Sequence, residues 1–281
     1  MKYIKQLLLT LTIISCVAIT KSEIRFVFNM ISNGASSPTS NHLNSINEDI
    51  FGERWDDPNQ LTPVGMRMQY LLGRRNRVKY DSFLSSSFKP NEVVVHSTKF
   101  NNTISSAQAH MQGLFPQGTG PNLSGYQRNI AYPPQGKTGY GDFAQEVFGA
   151  PALPYNTQVF PIQTYSDVEY RNFFMYNVKD NCQDSYYETI DNRRTDESKA
   201  LLDSIDTKYG AQLAQAIGTD RNVFKDYLYT YMVMKDFIAG YVDGKLHKRL
   251  TDAGLNLTEF NQTATDFLNY DLYKVQNYGN D

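Results

Sequence analysis

The chain is poor in the residues on which metal and redox chemistry most often depends. Its 281 residues hold two cysteines, four histidines and one tryptophan. Cys16 and Cys182 lie far apart, and His42, His96, His110 and His247 are scattered singly, so no metal-ligand spacing exists. No metal and no cofactor is expected. An excess of charge of either sign is missing as well. Formal net charge is −2, which favours neither nucleic acid nor an anionic membrane as a partner. Long apolar runs are absent beyond the amino terminus, and no stable membrane span is expected. No internal repeat is visible.

What the chain does have is an ordinary globular composition, 41% hydrophobic and 20% charged, enough for one core or a core with a subdomain. Its 20 tyrosines and 16 phenylalanines are read as packing at half-buried surfaces. Residues 1–22 read as a secretory signal: Lys2 and Lys5 supply the positive start, and Leu7 to Ile19 the apolar stretch. Thr20-Lys21-Ser22 then supplies the cleavage region. The stretch is shorter than the about 20 residues a span requires. An uncleaved anchor is the competing reading, and Ile13-Ile14-Ser15-Cys16 is a poor lipoprotein box. The expected destination is outside the cell or an endolysosomal or vacuolar compartment. Asn101, Asn122, Asn256 and Asn261 open Asn-x-Ser/Thr triplets and are candidate glycosylation sites. Loss of the signal leaves Cys182 alone, which points to a free thiol, an intermolecular bridge or a missing partner.

Along the chain, Phe26-Val27-Phe28 reads as a buried strand running into an Asn/Ser/Gly/Pro-rich loop. Thr62 is a good helix cap with Pro63 at the first helical position. Val64, Met68, Leu71 and Leu72 then share one face, and Arg74, Arg75, Arg77 and Lys79 form a solvated basic end. Glu92 to His96 reads as a second strand, followed by a helix from Thr103 to Gln112 with Gly113 placed to stop it. Two strand–loop–helix units imply an α/β sheet, with the Asn33 and Asn102 loops converging beyond the strand ends. Residues 117–141 read as loops and Val159 to Ile162 as a short strand. Helices are expected over Asp196 to Tyr209, Asn222 to Tyr241 (with Phe224, Leu228, Tyr231 and Ile238 on one side) and Thr258 to Val275. Asp180 and Glu188, or Asp226 and Asp236, are better explained as acids on exposed helix faces than as catalytic pairs.

Three segments carry a family resemblance. The first is Phe26-Val27-Phe28 leading to Ser32-Asn33-Gly34-Ala35-Ser36-Ser37-Pro38. The second is Leu61-Thr62-Pro63-Val64-Gly65-Met66-Arg67. The third runs from Val94-Val95-His96-Ser97-Thr98 through Asn102-Thr103 to Ser106-Ala107 and Gly113-Leu114-Phe115-Pro116. In this order and spacing, over residues 24 to 116, they resemble the histidine acid phosphatases. The resemblance implies a phosphoglycerate-mutase-like α/β fold, a central sheet flanked by helices with an inserted, mostly helical cap. On that reading residues 1–22 are the signal, 23–116 the N-terminal part of the core, 117–245 the cap and 246–281 a C-terminal helix returning to the core. Asn181-Cys182 resembles a cap segment whose cysteine is usually bridged to a later one.

The family reaction, as the resemblance implies it, is hydrolysis of phosphate monoesters through a phosphohistidine. Arginines hold the phosphoryl oxygens, because guanidinium matches phosphate in bidentate fashion, and a later His-Asp motif supplies the general acid. Here Asn33 stands at the nucleophile position, and Ser32, Ser36 and Asn102 stand where three arginines belong. An amide nitrogen, its lone pair delocalised, is no nucleophile. Loss of one preorganised donor costs about 2.7–4 kcal/mol of barrier. Losing three with the nucleophile should abolish turnover. His96, the one imidazole beside the crevice, is the only candidate substitute. The His-Asp motif is absent, so the C-terminal part of the sheet is expected to be missing. Three readings follow: an inactive, exported, glycosylated pseudophosphatase with a binding or structural role; a working acid phosphatase using rearranged residues; and a truncated fragment. If the crevice still binds anything, a phosphorylated small molecule is the expected ligand. Its partner is otherwise unknown.

Overall fold

The computed structural model describes residues 24–38, 49–51, 54–133, 147, 149–164, 183–245 and 248–275. The signal region 1–22, His42, Asp180, Asn181, Cys182 and His247 lie outside them. The chain divides into two units, Met1–Ile31 and Ser32–Asp281.

In the first unit, residues 24–31 form no strand, and Phe26 and Phe28 are 79% and 66% exposed. The buried strand expected at Phe26-Val27-Phe28 is therefore corrected. A strand is held by backbone pairing with a neighbour, and no described residue forms a ladder with this one.

Among the described residues the second unit is mostly helical with one small parallel sheet. Its helices are α1 (Pro63–Lys79), α2 (Asn101–Leu114), α3 (Gly125–Ile130), α4 (Gln183–Asn192), α5 (Asp196–Ile205), α6 (Ala211–Ile217), α7 (Tyr227–Asp243), α8 (Lys248–Asp252) and α9 (Leu257–Tyr270). The sheet pairs β1 (His96–Ser97) with β2 (Gln163–Thr164), His96 opposite Gln163. Both strands are shorter or later than their β-branched composition implies, and the reason is competition for backbone groups. The amides of Glu92 and Val93 turn back onto the Lys89 carbonyl at 3.0 and 3.1 Å. Gln108 and Gln112 of α2 donate to the carbonyls of Phe160 and Gln158 at 3.0 and 3.2 Å, using acceptors that a strand from Val159 would need.

α1 begins as its cap dictates: Thr62 Oγ1 accepts the Gly65 N–H at 3.1 Å, and Pro63 occupies the first turn. Its buried positions are Gly65, Gln69 and Gly73, and this face meets α2. A Cβ on Gly73 would strike the His110 carbonyl, and one on Gly113 would strike the Tyr70 carbonyl. The two backbones can approach this closely only through glycine. Gly113 thus lies inside α2 as a contact point and does not terminate it. The expected apolar face points the other way, with Met68 and Leu71 exposed. The basic end is also more than solvated charge. Arg77 donates to the Ser85 carbonyl at 2.6 Å and pairs with Asp81 at 2.8 Å, tying down the turn after the helix.

The main core lies between α5 and α9. Leu202, Ile205, Leu213, Phe224, Val233, Met234, Phe237, Phe260 and Phe267 are its buried centre, with Ile50 and Phe51 inserted among them. Phe237 and Tyr209 meet Phe260 edge-on at 4.6 and 5.0 Å. Gly210 does not end the expected Asp196–Tyr209 helix. A π turn at Asp206–Gly210 carries the chain from α5 into α6, and the stop is left-handed Gly218 at φ 79°. In α7 the buried face is Tyr227, Thr230, Val233, Met234, Phe237 and Gly240, and Leu228, read on one side with Phe224, Tyr231 and Ile238, is exposed. α9 buries Phe260, Ala264 and Phe267 as its period requires, and its last turn widens into a π segment over Asp271–Val275. A smaller core joins Met111, Leu114, Phe115 and Phe160.

Candidate functional site

The Asn33 loop is fixed by backbone groups of the segment that precedes α1. Thr62 N–H and Oγ1 both donate to the Ala35 carbonyl, at 3.0 and 3.1 Å, and Ser36 forms an antiparallel bridge with Leu61. Ser37 N–H donates to the Gln60 carbonyl at 2.8 Å, while its hydroxyl donates to the Asp57 carbonyl at 2.6 Å. Gly34 lies against Gly65 so closely that a Cβ on either would strike the other strand of chain. The glycines of the two motifs are therefore partners. On the far side, Gln69 Nε2 of α1 donates to the Ser32 carbonyl at 2.8 Å.

A buried hydroxyl joins this loop to α2. Gly34 N–H donates to Ser106 Oγ at 3.0 Å, and Ser106 Oγ donates to the Asn102 carbonyl at 2.6 Å. Asn102 is 7% exposed, and its Nδ2 donates to Asn59 Oδ1 at 3.0 Å. Its Oδ1 is buried with no hydrogen-bond partner. Asn59 holds a left-handed φ of 57°, a conformation asparagine tolerates better than most residues. Asn33 directs its Nδ2 to the Gly34 carbonyl at 2.8 Å and to Ser36 Oγ at 3.4 Å. The junction of the loop with α2 is thus assembled from amides and hydroxyls, and no cationic side chain hydrogen-bonds to Asn33, Ser36 or Asn102 among the described residues.

Residues 18–232 match the model of the histidine phosphatase superfamily (branch 2). The chain belongs to that superfamily. It is 34% identical to human (Homo sapiens) testicular acid phosphatase over 112 residues, which is 40% of this chain and 26% of the relative. Lysosomal acid phosphatase of Xenopus laevis is 33% identical over 129 residues, 45% of this chain and 28% of the relative. Prostatic acid phosphatase of Bos taurus is 36% identical over 95 residues, 34% of this chain and 24% of the relative. The similar stretch thus spans about a quarter of each of these acid phosphatases.

Within this superfamily framework, the Asn33 loop and the start of α2 come together at one place through Ser106. His96 does not sit on that line of bonds. It is an exposed member of β1, opposite Gln163. Ser32 enters through its backbone carbonyl, and the residue is exposed. Three contributors had no role assigned from sequence. Ser106 was visible as part of the Ser-Ala pair, but neither its reach to Gly34 nor the parts played by Asn59 and Gln69 has a sequence signal. Among the glycosylation candidates, Asn101, Asn122 and Asn256 are exposed. Asn256 caps α9 by accepting the Glu259 N–H at 3.3 Å, and Asn261 is half-buried in α9.

The acidic pairs read differently in three dimensions. Glu188 is exposed. Asp226 caps α7, accepting the Tyr229 N–H at 2.7 Å. Asp236 is no exposed helix acid: it is partly buried, and its Oδ2 accepts the Ile50 N–H at 3.2 Å. Burial first, and then the neighbouring Asp49 charge, push its carboxyl up to about 7. His110, expected on a helix, lies buried between α1 and α2, where burial lowers its tendency to charge.

Proposed function

We propose that this chain is an exported member of the histidine phosphatase superfamily that no longer hydrolyses phosphate monoesters and serves a binding or structural role. One observation carries the reading: Asn33, in the family's nucleophile position, uses its amide nitrogen to donate to Gly34 and Ser36. The lone pair of that nitrogen is delocalised into the amide carbonyl and is not available for in-line attack on phosphorus. The neutral side chains of Ser32, Ser36 and Asn102 support it, since a phosphate dianion needs charged donors to offset its desolvation. The proposed layout is a phosphoglycerate-mutase-like core begun by residues 23–116, a helical cap over 117–245 and a returning helix in 246–281, with residues 1–22 removed on export. Asn101, Asn122 and Asn256 are the exposed triplets proposed to carry glycans.

The test is a p-nitrophenyl phosphate assay at acid pH on purified, exported protein, with inorganic phosphate binding followed by calorimetry. No turnover above a denatured control is expected, and no phosphate heat. Sustained turnover that survives further purification would overturn the proposal. His96→Ala in that case would reveal whether an imidazole had replaced the lost nucleophile.

A further inference from the structure

The loop that carries Asn33 holds a second chemistry, one that needs no substrate. Asn33-Gly34 is the single Asn-Gly pair in the chain. With no side chain on the following residue, the Gly34 backbone nitrogen is uncrowded and can approach the side-chain amide carbon of its neighbour. The local geometry brings the two groups together. Asn33 Nδ2 donates to the Gly34 carbonyl at 2.8 Å, which folds the side-chain amide forward over the glycine. Asn33 is only half-buried, so water reaches it. One contact opposes reaction. Gly34 N–H is buried and donates to Ser106 Oγ at 3.0 Å, while Ser106 donates its own O–H to the Asn102 carbonyl at 2.6 Å. The glycine nitrogen must give up this buried bond before it can turn on Asn33.

We propose that Asn33 is a self-modification site, converting to aspartate and isoaspartate through a succinimide, with Ser106 as the guard that sets the rate. The Gly34 nitrogen forms a bond to Asn33 Cγ. The Cγ–Nδ2 bond breaks, and Nδ2 leaves as ammonia with the proton that the glycine nitrogen gave up. Water then adds across one of the two imide carbonyls, its hydroxyl going to carbon and its proton to nitrogen. Opening at Cγ gives aspartate, and opening at the main-chain carbonyl carbon of Asn33 gives isoaspartate. Water is the only co-reactant. Either product is a carboxylate at neutral pH. It has no N–H to donate, so the 2.8 Å bond to the Gly34 carbonyl is replaced by repulsion. Isoaspartate also puts a methylene into the main chain just before Gly34, at a contact with Gly65 too close for even a Cβ. The modification therefore loosens the loop from the segment before α1. It stands whether or not the chain hydrolyses phosphate monoesters.

The test follows isoaspartate in purified, exported protein held at mildly alkaline pH, by peptide mass analysis and by methyl labelling with an isoaspartyl methyltransferase. In the urea-unfolded chain, Asn33 should convert faster than Asn122, which is followed by the bulky Leu123. In the native protein the rate at Asn33 should fall many-fold and remain measurable, a ratio that tests the guard even if a Ser106 variant does not fold. Ser106→Ala should raise the native rate at Asn33 several-fold and leave Asn122 unchanged. Ser106→Thr, which keeps a hydroxyl, should restore slow conversion, and Asn33→Gln should give no signal at position 33. No isoaspartate at Asn33 in the native protein, or equal native and unfolded rates, would overturn the proposal. So would equal rates in Ser106→Ala and Ser106→Thr, or a rise in Ser106→Ala shared by Asn122.

Discussion

The α1–α2 pair and the α5–α9 bundle solve the same packing problem by opposite means. The bundle fills its centre with phenylalanines, and its stability scales with the apolar area they remove from water. The pair instead brings two backbones together over Gly73 and Gly113, with Gln69, Ser106 and His110 among the buried polar side chains. Its cohesion rests on shape and on a few buried hydrogen bonds, such as that from Gly34 N–H to Ser106 Oγ. The lesson is that the polar junction around Asn33 and Asn102 is built on a helix pair with no room for an added atom at Gly73 or Gly113, while the region richest in aromatic rings lies elsewhere.

That contrast can be broken from either side. Phe260→Ala, in the bundle, removes a ring touched edge-on by two others and should cost about 3–5 kcal/mol, read as a lower midpoint in urea unfolding. Gly113→Ala should cost about 1–3 kcal/mol through overpacking, because the new methyl meets the Tyr70 backbone carbonyl and not a movable side chain. Hydrogen exchange should localise the damage to α1 and α2. Ser106→Ala leaves the buried Gly34 N–H without its acceptor, a loss of about 1–3 kcal/mol at the upper limit, and should raise exchange at Gly34 before any change in the bundle. The smallest expected effect is one of sign. Burial lowers the pKa of His110, so its contribution is complete above its ordinary range near 6.5 and is lost as pH falls below it. Asp236 has the reverse dependence. Exchange measured at acid and neutral pH should therefore show α2 amides loosening in acid while Ile50 and Phe51 tighten. Parallel behaviour of the two regions would erase the distinction.

Much of the helical framework was legible because caps and periodicity are local signals. Thr62 with Pro63, and Thr195 accepting the Ser198 N–H, begin helices where their chemistry requires. The regular apolar spacing of α9 placed Phe260, Ala264 and Phe267 inside. The convergence of the Asn33 and Asn102 segments was also expected and is joined through Ser106; what failed was which faces and backbone groups a distant neighbour would claim. Periodicity identified the stripe Val64, Met68, Leu71 and Leu72 as one face, but the partner of α1 chose the glycine face. Gly113 has the look of a stop signal, yet its missing side chain serves a crossing helix. Strand composition at Glu92–Val95 and Phe26–Phe28 could not reveal that those backbone groups turn to local acceptors or meet no ladder. At the site, Gly34, Thr62 and Gly65 were readable as motif residues. The Ser106 hydroxyl that links them to Asn102 depends on a contact 72 residues apart in sequence.

The outward stripe of α1 carries thioethers, since Met66 and Met68 are both about half exposed. Sulfur in that setting is readily converted to the sulfoxide by peroxide. Mild oxidation followed by peptide mass analysis would therefore turn this helix into a footprinting gauge. Fast modification would mark a bare surface, and protection in native extracts would mark one covered by something else.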